Sequence, residues 1–157
     1  MVKPKTFMSQ LMNLSIPIAT TTDEFLSGEF IHWGADNKAA KMGTVGSGET
    51  PVCRCVFHDT LGRTDRFGTD KVTILDGEYL AEIDAYDTSG GDFGNGDWLT
   101  VKNCTITYYA DGKSYTGGFL SPATTGDVVW AQCIVPPGGL QRGLNYMLVK
   151  IVSPFVL

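Results

Sequence analysis

The residues best suited to chemistry lie in one acidic, glycine-rich segment, residues 87–97, which reads DTSGGDFGNGD. Its candidate ligands are Asp87, Asp92, Asn95 and Asp97. Carboxylate and amide oxygens are the ligands that calcium prefers, and the glycines would let the chain wrap tightly around an ion. An EF-hand would also need a glutamate at its twelfth position, and glycine-rich calcium repeats work as stacked arrays. Because this segment occurs once, we predict a plain hairpin loop, with a calcium site as the alternative.

The cysteines and histidines do not combine into a metal-binding or catalytic pattern. They are Cys53, Cys55, Cys104, Cys133, His32 and His58. Cys53 and Cys55 would share one face of a strand, where disulfide geometry disfavours their pairing. A zinc site needs its cysteine and histidine ligands in closely spaced pairs. A hydrolytic triad needs a nucleophile beside a histidine base. We therefore predict buried free thiols, no catalytic site, no metal and no cofactor.

The charge pattern limits the classes of partner. The 157-residue chain carries a net charge of −5, and its lysines and arginines are scattered singly. Nucleic-acid binders carry a basic stripe, so we expect no nucleic-acid partner. No apolar run approaches the roughly 20 residues of a membrane helix, so we expect no membrane partner.

One window of the chain is markedly acidic. Between Val72 and Val101 there is no lysine or arginine, but there are seven acidic residues. Such a run is usually a solvated face, and the alternative is a docking surface for a basic partner or a cation. Charged residues make up only 18% of the chain, against a typical value of about 25%. A chain with few charges often hides apolar surface against a partner.

Alternating apolar residues and frequent turn signals predict an all-β fold. The clearest strand is Glu78–Tyr86, in which the odd-numbered residues face the core and Glu78, Glu82 and Asp84 face outward. Strands are predicted over Glu29–Trp33, Thr50–His58, Glu78–Tyr86, Trp98–Val101, Cys104–Tyr109, Ser114–Leu120, Asp127–Val135 and Tyr146–Val152. The dipeptide Asp111-Gly112 predicts a tight hairpin. Residues 59–70 and 88–96 are predicted loops.

Residues 1–24 are predicted to form an N-terminal arm, and residues 25–157 a single β domain. The arm contains the one helix candidate, Thr6–Leu14, which Pro17 would end. Its apolar residues are Phe7, Leu11, Leu14, Ile16 and Ile18. An isolated arm cannot bury these side chains, so we expect them to contact a neighbouring subunit or a partner. The alternative is a strand folded onto its own domain.

Two segments of the C-terminal half carry a resemblance to a known family. Residues 96–101 read GDWLTV, and residues 118–129 read GFLSPATTGDVV. An apolar strand then continues to Val135, and the segment 148–152, LVKIV, closes the pattern. This arrangement resembles the decoration (cement) proteins of tailed-bacteriophage heads, which commonly carry G-D-x-L-T-V followed by G-x-L-x-P-A-x-x-G-D-x-V. The resemblance covers roughly residues 96–152.

The resemblance implies a compact β-barrel or β-tulip body with an extended N-terminal arm and little helix. It implies a structural virion protein that binds the major capsid protein on the outside of the shell, often as a trimer. Binding of that kind stabilises the assembled state over the free one. We expect such a decoration protein, located on the virion, and not an enzyme.

Two other functions are also consistent with the sequence. One is another head, tail or fibre module of a virion. The other is a carbohydrate-binding β-sandwich, since such proteins use exposed aromatic rings. The adjacent Tyr108 and Tyr109 would place one ring on each face of a strand, which leaves one of them exposed.

Overall fold

The computed structural model describes residues 3–4, 12–61, 70–139 and 145–157, and these residues form an all-β fold. Within them the one helical element is a 3-10 turn at Met42–Thr44. The strands are β1 (Lys3–Pro4), β2 (Met12–Pro17), β3 (Phe30–Trp33), β4 (Ala39–Ala40), β5 (Cys53–His58), β6 (Lys71–Asp76), β7 (Tyr79–Ile83), β8 (Trp98–Thr107), β9 (Ser114–Pro122), β10 (Val128–Val135) and β11 (Met147–Val156). The predicted fold class is confirmed.

The strands form one sheet in the order β1-β7-β11-β10-β8-β9-β3-β5-β6-β2, with β4 paired to β3. The ladders between them are antiparallel. In the part of the chain that the structure describes, β1 and β2 end the sheet and do not pair with each other. The sheet is therefore open. It is curved like the predicted barrel, but it is not closed into one.

The curvature is visible in the main core. Phe30, Cys55 and Leu75 from one half of the sheet share an apolar cluster with Ala81 and Val149 from the other half. These strands are far apart in the sheet order, so the sheet must curl until its two halves face each other. Burial of both inner faces provides the main apolar contribution to stability.

A second cluster covers the opposite face of β5 and β6. Val56 and Ile74 pack there with Ile16, Ile18 and Phe25. Strands buried on both faces lose the simple alternation of apolar and polar residues. That is why β6, whose sequence is KVTILD, is absent from the predicted strands.

For strand β7 the predicted buried face is confirmed, and the predicted solvent-exposed face is wrong at Glu82. Tyr79, Ala81 and Ile83 are buried as expected. Glu82, which was expected to face solvent, is only 5% exposed. The prediction assumed a half-exposed strand, whereas β7 lies inside the sheet between β1 and β11, and Glu82 is paired on both sides.

The long hairpin β8–β9 forms as the turn dipeptide predicts. Gly112 has a φ of 69°, and Tyr108 N–H donates to Lys113 O across the turn at 2.8 Å. The two short strands predicted over residues 98–109 are a single ten-residue strand, β8, which ends at Thr107. Its middle residues are polar because they face solvent, and this interrupted the apolar pattern.

Candidate functional site

The predicted contact residues of the arm lie mostly in the chain's own core. Strand β2 pairs with β6, so the predicted helix is wrong over residues 12–14. Ile16 and Ile18 are 7% and 4% exposed, and Leu14 packs against the same cluster. Phe7 and Leu11 lie outside the described residues. For residues 12–18 the alternative of a strand folded onto its own domain is what the structure shows.

In the candidate cation loop, two carboxylates accept hydrogen bonds from residues two or three positions away and so stabilise turns. Asp87 Oδ1 accepts hydrogen bonds from the amide and hydroxyl of Ser89, at 2.9 and 2.7 Å. Asp97 Oδ2 accepts one from Gly94 N–H at 2.7 Å, while Asp92 and Asn95 are exposed. In the described parts of the chain no three of the acidic, histidine and cysteine side chains come together to hold a metal ion. The loop is a series of turns, and hydrogen bonds accepted by the side chains of Asp87 and Asp97 stabilise two of them.

The histidines and cysteines occupy structural positions. His32 Nδ1 accepts a hydrogen bond from Val52 N–H at 3.1 Å, and the exposed His58 ring lies 4.2 Å from the ring of Phe57. All four cysteines are free thiols, and three of them are buried. Burial raises the pKa of Cys53 and of Cys55 to about 12.

An ion pair with a buried carboxylate, which we call the Glu29–Lys41 pair, lies beside β3 and β4, and Lys41 Nζ also donates to Thr116 O on the adjacent β9 at 3.3 Å. Glu29 is fully buried, and Lys41 Nζ lies 2.7 Å from Glu29 Oε1. Leu26 N–H donates to the other carboxylate oxygen at 3.0 Å. Burial raises the pKa of Glu29 to about 7, although Lys41 opposes this shift. Gly117 admits the carboxylate, because a β-carbon there would collide with Glu29 Oε1.

The end of β11 forms an exposed apolar strip, which we define as Phe155, Val156 and Leu157 with Trp98. Phe155 and Val156 are 40% and 68% exposed. Beyond Ile151 the strand β11 extends past its register with β7 and pairs with β10 alone. The rings of Trp98 and Phe155 meet edge to face, with centroids 5.0 Å apart. Because neighbouring strand residues point to opposite faces, Phe155 and Val156 expose apolar surface on the two faces of this strand end, and the pairing with β10 holds both in place.

The residues that carry the family resemblance hold this strip. Gly96 has a φ of 91° and Gly126 a φ of 96°, so both occupy turns that favour glycine. Asp127 Oδ2 accepts hydrogen bonds from the amide and hydroxyl of Thr124, which lower the pKa of Asp127. Gly126 N–H donates to Leu157 O, and Leu157 N–H donates to Asp127 O. The motif is thus a set of turns that anchors the chain end.

A cleft lies at the tip of the β8–β9 hairpin, and we call it the tyrosine cleft. It encloses about 320 Å³. Its lining includes Asp84, Tyr86, Thr107, Tyr108, Tyr109 and Asn145. Tyr108 Oη donates a hydrogen bond to Asp84 Oδ2 at 2.9 Å, and Tyr109 is 76% exposed. Burial and the charge of Asp84 raise the pKa of Tyr108 well above its ordinary value.

Sequence reasoning found only part of these sites. One exposed ring was expected from the adjacent Tyr108 and Tyr109, and it is Tyr109. The strip, the Glu29–Lys41 pair and the cleft were missed, because each joins residues from distant parts of the chain. The one local signal was the apolar end of the sequence, SPFVL, which follows the predicted last strand.

Comparison with known proteins adds no relationship: no family model, curated protein or solved structure gives a significant match to this chain. None of the described residues forms a helix long and apolar enough to cross a membrane. The function of the chain must therefore be inferred from its geometry and from the resemblance of residues 96–152.

Proposed function

We propose that this chain is a structural protein of a tailed-phage virion that decorates and stabilises the outer surface of the head. The observation that carries the proposal is the exposed apolar strip at the end of β11. Exposed apolar residues that cluster at one strand end indicate an interaction site, since leaving them in water is unfavourable. The partner we propose is the major capsid protein, and the chain binds as a homo-oligomer, with a trimer favoured.

The strip is better placed to bind a partner protein than the described apolar residues of the N-terminal arm. Ile16 and Ile18 contribute to the chain's own core and have almost no area left to offer. Phe155 and Val156, by contrast, are fixed by the backbone pairing with β10, so binding them orders little additional chain. The proposal therefore moves the contact from the predicted arm to the C-terminal strand, while Phe7 and Leu11 keep their predicted role.

The family resemblance supports the proposal through the same residues. The turns around Gly96 and Gly126 fix the ends of β8, β10 and β11. A role in docking would need the strip to be held rigidly, and these turns hold it. The low content of charged residues, 18%, agrees with a chain that buries surface in an assembly.

The test is binding to purified heads that lack this chain. Wild-type protein should saturate the heads and raise their melting temperature, because a ligand of the assembled state stabilises it. The double variant Phe155→Ser/Val156→Ser should bind at least tenfold more weakly. The matched control is Val52→Ser, since Val52 is 44% exposed but lies on the segment before β5.

Three results are informative. Loss of binding in the double variant with normal binding of Val52→Ser supports the strip as the contact. Equal binding of the double variant and the wild type would contradict the assignment of the strip. Failure of the wild type to bind heads at all would contradict the proposed function.

A further inference from the structure

The tyrosine cleft has the size and composition of a small-ligand site. Its volume of about 320 Å³ falls at the lower end of the range of known ligand pockets, roughly 300–1,000 Å³. Such pockets combine apolar or aromatic walls with a few fixed polar groups. Here the walls include Tyr86, Tyr108 and Tyr109, and the polar groups include Asp84 and Asn145.

The aromatic walls differ in how they are held. The ring of Tyr86 meets Phe93 edge to face at 5.2 Å, and the ring of Tyr108 meets Tyr115 in the same way at 6.2 Å. Both rings are therefore fixed by internal contacts. Tyr109 is 76% exposed, so most of its apolar area contributes nothing to the fold. It offers an open ring at the edge of a cleft whose other walls are rigid.

The polar groups of the cleft supply both kinds of hydrogen-bonding partner. Asp84 provides carboxylate acceptors, and its orientation is fixed by the 2.9 Å hydrogen bond from Tyr108. The Asn145 amide and the hydroxyls of Thr88 and Thr107 can donate as well as accept. A ligand that stacks one apolar face on a ring and presents several hydroxyl groups at its edge would match this set.

We propose that the tyrosine cleft binds a neutral pyranose sugar. The C–H face of the sugar ring packs on Tyr109, and its hydroxyl groups hydrogen-bond to Asp84 and Asn145. The cleft is a second binding surface, independent of the apolar strip.

The fold places the two surfaces at opposite ends of the same strand. Trp98, which belongs to the strip, begins β8, and Thr107, which lines the cleft, ends it. Ten extended residues span about 30 Å. A chain that docks through the strip would therefore leave the cleft facing away from the partner. This orientation depends on the proposed function, whereas sugar binding itself does not.

The test is a titration of the full-length protein, followed by amide chemical shifts. The probes are methyl glycosides of glucose, galactose and mannose, each added to about 100 mM. We expect at least one of them to shift amide signals of residues 84–88 and 107–109. Tyr109→Ala should weaken that binding about tenfold, which is the size expected for losing one aromatic contact. Tyr109→Phe should retain it, because the ring is kept.

The polar part of the site needs its own variant and control. Asp84→Asn should weaken sugar binding, whereas Asp92→Asn removes the same charge from an exposed position outside the cleft and should leave it unchanged. Absence of shifts with all three glycosides would overturn the proposal. So would shifts caused by arginine amide and by no glycoside, because the cleft would then be a cation site. Neither result bears on binding to heads.

Discussion

Strands β2 and β11 both carry apolar residues, but these residues lie in opposite environments. Strand β2 lies against β6, and its Ile16 is 7% exposed. The end of β11 continues past β7, so that Val156 is 68% exposed. The apolar content of the two segments does not predict this difference in burial. The difference shows that apolar residues of a strand stay exposed only where the rest of the sheet stops covering them.

The largest expected effect comes from truncating side chains in the two strands. Ile16→Ala should reduce the free energy of unfolding by about 2–4 kcal/mol, because it leaves a cavity in the second core cluster. Val156→Ala should change it by about 0.5 kcal/mol or less, since that side chain is mostly solvated. Urea unfolding followed by tryptophan fluorescence measures both. Similar losses in the two variants would contradict the comparison.

The Glu29–Lys41 pair predicts that stability depends on pH, because Glu29 is buried beside β3. The pKa of Glu29 is raised from 4.5 in the unfolded chain to about 7. Between these values the unfolded chain releases the proton while the folded chain keeps it, so stability is fully present below pH 4.5 and falls as the pH rises. The loss should total on the order of 3 kcal/mol by pH 7 and then stop.

The measurement is the unfolding free energy of the wild type and of Glu29→Gln across pH 4.5 to 8. The difference between them, wild type minus variant, should decrease up to about pH 7, because the glutamine does not titrate. Glu49→Gln is the control, since Glu49 is exposed. A difference that is constant with pH would show that the burial of Glu29 does not govern its protonation.

The exposed end of β11 predicts a smaller effect on stability. Phe155→Ala removes the edge-to-face contact with Trp98 and should cost about 1 kcal/mol. Thermal unfolding measures this as a shift of a few degrees in Tm. A loss comparable to that of Ile16→Ala would mean that the strip belongs to the core and is not a free surface.

The smallest effect concerns the thiols and leaves stability unchanged. Burial raises the pKa of Cys53 and Cys55 to about 12, so almost none of either thiol is ionised at pH 8. Cys104 is half-buried, with its pKa raised to about 11. A disulfide exchange reagent at pH 8 should therefore modify Cys104 first in the native protein. Peptide mapping identifies the site, and faster labelling of Cys53 would contradict the burial of β5.

The sequence predicted strands where one face is buried and the other is wet. The hairpin at Asp111-Gly112 belongs to this class, since alternation and turn chemistry are local properties. The sequence also located the buried residues of Tyr79–Ile83 in this way, although Glu82 on the other face of that strand is buried as well. It missed β6 because both faces of that strand are covered. It predicted a helix over Thr6–Leu14 because the apolar spacing in the arm fits both periods, and the choice for residues 12–14 depends on a partner strand about 60 residues away.

The sequence by itself determined the all-β class and the turns of residues 96–129, because both follow from backbone preferences of neighbouring residues. The burial of Ile16, the exposure of Val156, the pairing of Glu29 with Lys41 and the assembly of the tyrosine cleft were decided only by the tertiary structure. Each depends on which strands lie side by side. That choice is made by the free energy of the whole curled sheet, and no local pattern contains it.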